Sequence, residues 1–272
     1  MLSNVFIVAA VAVLSVALRT YRHPTVRRIG TVGVFATSFL AGWLIGGSLI
    51  LGVLFASSWL LLPWLEILTR IRKLRLPMER TLEPTAPPVR SDFPNLGELS
   101  DDIEATGFEQ LDDFSWSTDA QTHFYRFFYQ SQSNTEAAIC LVEQDGISFY
   151  YVSVTSRTTR GDVYVTWNYP FSYGLRLLPT LHLRRVEPST EFTEMLADHR
   201  HFLDRSLVSL DEIEPQTPES ICTHIETDLR RQINHNLDIG LLARAGEDKI
   251  RYSARGMLFL WIQFLRDLVR LS

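Results

Sequence analysis

Residues 31–64 are thirty-four consecutive positions without a single Asp, Glu, Lys, Arg or His. As a helix rising about 1.5 Å per residue, such a run reaches roughly 50 Å, whereas the hydrocarbon core of a bilayer is about 30 Å thick. A buried helix of a water-soluble protein seldom runs this far uncharged, because one of its faces meets solvent. The stretch is therefore read as membrane-spanning. It contains Gly33, Gly42, Gly46, Gly47 and Gly52, and two arrangements fit it. One is a single long, tilted span. The other is a hairpin bent at Gly46-Gly47-Ser48.

Charge divides the rest of the chain. All 31 acidic residues lie after Leu65, and the first 65 residues carry only Arg19, Arg22, Arg27 and Arg28. Residues 91–272 hold 28 Asp plus Glu against 16 Lys plus Arg, a formal balance of −12. A domain so acidic lacks the basic face that neutralises phosphates, which argues against nucleic acid as a partner. The chain thus reads as an apolar module followed by a water-soluble one.

Residues 2–18 form a second uncharged run, just long enough to cross a bilayer. A signal peptide is the other reading, but the start MLSNVF has no basic segment and no small-residue cleavage site comes after Leu18. The run is read as an anchor. Between the two apolar runs lies a basic connector, residues 19–30, with Pro24 suited to a turn. After the long stretch comes a second basic cluster, Arg70, Arg72, Lys73, Arg75 and Arg80. If the long stretch crosses once, the two clusters fall on opposite sides and one violates the positive-inside tendency; a hairpin changes that conflict. The denser second cluster favours a cytoplasmic position for the soluble domain beyond it. The protein is expected to be a multi-pass membrane protein.

The expected divisions are a transmembrane module at 1–68, with spans at about 2–18 and 31–64, then a basic and proline-rich junction at 69–90. A soluble domain at 91–254 and a terminal helix at 255–272 complete it. Residues 83–90, EPTAPPVR, read as a stiff linker. In 95–107, Leu96, Leu99 and Ile103 recur at helical spacing and Gly107 can close the end. Strand signals rich in aromatic and β-branched residues come next at 123–130, 136–143, 147–155, 161–168 and 180–186, with Asp145-Gly146 supplying a tight turn. They predict an antiparallel sheet with flanking helices, a membrane-anchored α+β fold. Ser189 or Thr190 is expected to cap one helix, and Thr217-Pro218 opens another with Ile221, Ile225, Leu229, Ile233 and Leu237 at intervals of four. Residues 256–271 are an amphipathic helix, destined either for the membrane interface or for the domain's own core.

No phosphate loop, dinucleotide fingerprint, nucleophile elbow, zinc-protease helix or metal-spaced cysteine set occurs, and no cofactor is implied. Cys140 and Cys222 stand in strand-like and helix-like contexts that suit buried free thiols. Weak catalytic candidates are His199, on the apolar face of its helix beside Asp198 and His201, and the stripe of His224 and Asp228, four residues apart. A histidine on an apolar face is more often a hydrogen-bonded structural group, and an alternating-sign stripe more often a solvated face. Arginine outnumbers lysine 24 to 2; that suits bidentate pairing with carboxylates and lipid phosphates, and base composition of the coding sequence explains it equally well. The loop 167–178 gathers Trp167, Tyr169, Phe171 and Tyr173, a surface for a partner, for the bilayer interface, or for sealing the open end of the sheet. Gly42 and Gly46, in GWLIG, have the spacing that lets membrane helices approach closely. The expected partners are the bilayer and a protein in or at the membrane, and the expected function is that of a non-enzymatic, membrane-anchored binding or assembly protein; a small subunit of a larger membrane complex, packed through Gly42 and Gly46, is a further reading. A membrane-bound hydrolase or other enzyme using His199 or the His224 and Asp228 face is the alternative.

Overall fold

The computed structural model describes residues 2–270 apart from 22, 119–120 and 145. In chain order its helices are α1 (Leu2–Arg19), α2 (Pro24–Leu40), α3 (Leu49–Thr69), α4 (Leu96–Glu104), α5 (Phe192–Arg205), α6 (Pro218–Asp238) and α7 (Ala254–Arg270). The strands are β1 (Leu76–Pro77), β2 (Glu83–Pro84), β3 (Glu109–Thr118), β4 (Gln121–Gln130) and β5 (Thr135–Gln144). They continue with β6 (Ile147–Arg157), β7 (Val163–Trp167), β8 (Leu181–Arg185), β9 (Leu242–Arg244) and β10 (Lys249–Tyr252). Two compact units result. One comprises Met1–Leu76, Ser172–Gly174 and Leu237–Ser272; the other comprises Pro77–Phe171 and Leu175–Asn236.

In the first unit the long uncharged stretch is bent. α2 ends in a π-helical turn, Ala41–Ile45, and α3 starts only after Gly47 has taken a left-handed conformation (φ +71) and Ser48 an extended one. A π turn and a positive φ side by side are the ordinary means of reversing a helix, and glycine adopts the second without strain. Residues 31–64 are therefore a hairpin and not a single rod. The break leaves the Leu44 carbonyl without its helical partner, and Asn4 of α1 donates its amide to it at 2.8 Å.

Small residues bring the three helices together. A Cβ on Gly42 would overlap the Leu51 carbonyl oxygen of α3, and one on Gly33 would overlap Ser15 Oγ of α1. Gly46 faces its own turn, where a Cβ would meet the Gly42 carbonyl at 2.5 Å. Trp59 of α3 donates its indole N–H to Ser38 Oγ of α2 at 2.8 Å. Hydroxyls of Ser15, Thr31, Thr37 and Ser38 donate back to the carbonyl four residues earlier, so they too are satisfied without water. These pairings run antiparallel, so α1, α2 and α3 go up, down and up. Among the described residues three helices are long and apolar enough to cross a membrane.

The second unit is built on a seven-stranded sheet in the order β2-β3-β4-β5-β6-β7-β8. Alternation sorts its side chains. Phe124, Phe128, Ile139, Val152 and Val154 face α4 and α5, where Phe93, Leu96, Ile103, Met195 and Leu196 complete one core. Trp116, Phe127, Ala138 and Cys140 face the other way, against Ile221 of α6 and Leu82. The sheet is antiparallel except at its far edge, where β8 runs parallel to β7 because the loop after Trp167 carries the chain back along the sheet before β8 begins. Glu83–Pro84, read from sequence as linker, is instead the opposite edge strand, paired with Phe114 and Ser115; proline is tolerated at an edge because no further strand needs its N–H. The expected Ser189 or Thr190 cap is not made: Glu191 is the N-cap residue of α5, with no side-chain cap bond. Asp145 lies outside the described residues, and Gly146 beside it has φ +77.

Glycine substitutions separate packing from backbone freedom. Gly42→Ala should destabilise the chain by about 1–3 kcal/mol through overpacking against Leu51. Gly97→Ala, in α4 with nothing within 4 Å of its added Cβ, should stabilise it by about 0.5 kcal/mol through helix propensity. Unfolding of the detergent-solubilised full chain by heat, followed by circular dichroism, reads both signs.

Candidate functional site

His199 is 1% exposed and both its ring nitrogens are engaged. Nδ1 lies 2.9 Å from Thr166 Oγ1 and Nε2 lies 3.0 Å from Ser156 Oγ. Thr135 Oγ1 bonds Ser156 Oγ at 3.2 Å and donates to the Ser133 carbonyl at 3.2 Å. One orientation satisfies every atom: Thr166 donates to Nδ1, Nε2–H donates to Ser156, Ser156 to Thr135, and Thr135 to the carbonyl. Burial, foremost, holds the His199 imidazole down to about 4, so it is neutral. The arrangement fixes α5 on the sheet, and its neighbour Asp198 accepts Arg184 Nε and Nη2 at 2.8 and 3.0 Å.

His224 and Asp228 each have a separate protein partner. His224 Nδ1 lies 2.7 Å from Gln216 Oε1. Asp228 accepts from Arg157 Nη1 at 2.5 Å, and Arg157 Nε reaches Glu136 Oε1 at 3.2 Å. Arg157 and Glu136 are buried in the interior, and burial pushes the Glu136 carboxyl above its ordinary range while Arg157 pulls it back. This triad ties α6 to β5 and β6. In a second, half-buried pair Arg126 is bidentate to Asp113 at 2.8 Å and also donates to Ser100 Oγ of α4 at 3.1 Å. Among the described residues no group of three or more His, Cys, Asp or Glu is placed to hold a metal ion.

The aromatic residues of the 167–178 loop are divided. Trp167, Tyr169 and Phe171 belong to the sheet unit, whereas Tyr173 belongs to the helical one. Within the sheet unit Trp167 stacks on Tyr169 with centroids 4.9 Å apart, Tyr169 meets Tyr151 edge-on at 5.0 Å, and Phe171 meets Phe149 edge-on at 5.2 Å. Most of this surface is spent on the sheet's own side chains. What remains outside is Phe171, 39% exposed, and Ile147, 67% exposed, two residues before Phe149 on the same face of β6. Both thus stand exposed beside Phe149. Elsewhere on the α6 face Arg80 lies over Trp116 at 4.6 Å, and Trp116 stacks on His123 at 4.2 Å. Burial, then the Arg80 cation, lowers His123 to about 3.

In the helical unit the charges gather at one end. α1 finishes at Arg19, α2 begins beside Arg27 and Arg28, and α3 returns to Arg70, Arg72, Lys73 and Arg75. Arg22, expected in the same cluster, lies outside the described residues. The other end, around Asn4, Leu44 and the Gly46–Ser48 turn, has no charged side chain. Sequence reasoning saw both clusters but could not bring them together, because the bend at Gly47 was only one of its two options.

No protein-family model matches the chain, and neither the curated proteins nor the solved structures give a match.

The buried triad yields a test. Arg157→Leu leaves Glu136 as an uncompensated buried charge and should cost about 3–5 kcal/mol. Adding Glu136→Leu should recover most of that loss, since Asp228 is partly exposed and can face water. Thermal unfolding of the two variants against wild type measures both effects.

Proposed function

We propose that the chain is a three-span integral membrane protein whose acidic α+β domain stands on the cytoplasmic side and binds a protein partner there, without itself catalysing a reaction. The observation that carries this reading is the gathering of Arg19, Arg27, Arg28, Arg70, Arg72, Lys73 and Arg75 at one end of an otherwise uncharged helical hairpin and its companion helix. Positive charge flanking apolar helices is retained on the cytoplasmic side, and the chain leaving that end leads into the sheet. Both basic clusters then obey one rule, which a single crossing of residues 31–64 would not allow.

A binding role is supported by what the candidate catalytic groups are already doing. His199 is sealed in a hydrogen-bond chain, and Asp228 is committed to Arg157. Ile147 and Phe171, exposed beside Phe149, are an aliphatic and an aromatic side chain free to anchor a protein interface. The bilayer and a protein partner are the two contacts this reading requires.

A photo-crosslinking residue at Ile147, in the full chain expressed in its membrane, tests the partner. A discrete crosslinked species is expected from Ile147 and none from an exposed control at Glu98 on α4, and Phe171→Ala should reduce the yield at least threefold. Equal crosslinking from both positions, or none from either, contradicts the proposal.

A further inference from the structure

α7 is held to the helical unit on two sides. A Cβ on Gly256 would overlap the Leu241 carbonyl oxygen, Leu260 is buried near Gly174, and Asp267 accepts the Ser172 N–H and hydroxyl at 2.7 and 2.6 Å. These three residues lie within about 40° of one another on the helix. On a second side Trp261 donates its indole N–H to the Leu60 carbonyl of α3 at 2.8 Å and stacks on Trp64 with centroids 6.0 Å apart. Leu60 precedes Pro63, which cannot donate within α3 and loosens the hydrogen bonding of that turn. Trp261 thus reaches α3 one residue from the Trp59 carbonyl that Pro63 leaves without a helical donor, in the last apolar turns before the basic end.

The third side is uncovered. It carries Leu258, 47% exposed, and Ile262, 40% exposed, one turn apart, flanked by the exposed Arg255 and Arg266. By helical angle the two apolar residues sit between Trp261 and the two arginines, so the surface grades from aromatic through aliphatic to cationic. On α3 the neighbouring turns expose Leu61, Leu65 and Leu68. The uncovered aliphatic strip of α7 is therefore continuous, through Trp261 and Trp64, with the apolar outside of α3.

We propose that α7 is an interfacial membrane helix: it lies at the boundary of headgroups and acyl chains in the leaflet at the basic end, with Leu258 and Ile262 among the acyl chains and Arg255 and Arg266 reaching to the headgroup phosphates. The inference rests on the membrane reading of α1, α2 and α3. The occupant is lipid because the strip extends an apolar surface already assigned to the bilayer, at the level where tryptophan and arginine are favoured. Such a helix would fasten the end of the chain to that leaflet.

The test uses the full chain carrying Cys222→Ala, with Cys140 kept because burial pushes its thiol up to about 12 and leaves it unreactive. Single bimane labels at Ile262→Cys, Leu258→Cys, Leu54→Cys and Glu98→Cys are reconstituted in phosphatidylcholine vesicles and quenched by nitroxide-bearing phosphatidylcholine or by aqueous iodide. Lipid nitroxide should quench positions 258 and 262 at least twofold more than position 98, with iodide showing the reverse order. Iodide quenching at 258 and 262 equal to that at 98 overturns the proposal. Shielding from both quenchers also overturns it, by assigning the strip to a second copy of the chain. Position 54, mid-way along α3 and exposed on its surface, reports on the underlying reading: if it too escapes the lipid nitroxide, the membrane assignment of α3 fails, whereas its quenching alone isolates the failure to α7.

Discussion

The reversal of the long apolar stretch at Gly46–Ser48 governs the helical unit. A helix can turn back on itself only if the backbone groups released at the turn find other partners, in the protein or in water at the tip. The Gly46–Ser48 break meets that condition: Asn4 takes up the Leu44 carbonyl, hydroxyls on α1 and α2 bond within their own helices, and the left-handed step falls on glycine. With the reversal in place, Gly42 can sit against Leu51 and Trp59 can reach Ser38. Everything proposed about sidedness depends on that reversal.

The sheet unit solves a different problem, that of placing arginine and carboxylate inside a β-sheet core. Three elements are fastened to the sheet through such side chains: α6 through Asp228 to the buried Arg157 and Glu136, α4 through Ser100 to the half-buried Arg126 and Asp113, and α5, at the surface, through Asp198 to the exposed Arg184. Each uses the planar guanidinium fork, for which lysine is no substitute. The arginine excess thus has at least a partial structural use. The polar residues that first suggested chemistry, His199 and Asp228, are parts of this fastening.

Much of the architecture was legible in the sequence, and the failures have physical causes. The strands at 123–130, 136–143 and 147–155 carry dense aromatic and β-branched residues with alternating faces, and they stand where expected as β4, β5 and β6. β3 was missed because EQLDDFSWST is acidic and polar, a pattern tolerated there because the strand lies next to the edge and Asp113 is paired with Arg126. The parallel pairing of β8 results from the path of the loop before it, which no local pattern records. Tertiary contact also decided the start of α5, where burial of Phe192 prevailed over the capping residues just before it. Of the candidate sites, the aromatic loop could be found by composition, but its division between two units and its consumption by Phe149 and Tyr151 could not.

Residues 31–64 turn back, and in the membrane reading proposed above the connector before α2 and the junction after α3 therefore share one side of the bilayer. Thiol accessibility in intact cells measures it directly, with single cysteines at Thr25, Ser48 and Ser91 in a Cys222→Ala background and a membrane-impermeant maleimide. The account predicts labelling at position 48 in intact cells, and labelling at 25 and 91 only after permeabilisation. Labelling at 91 with protection at 25 would mean a single crossing and would contradict the account.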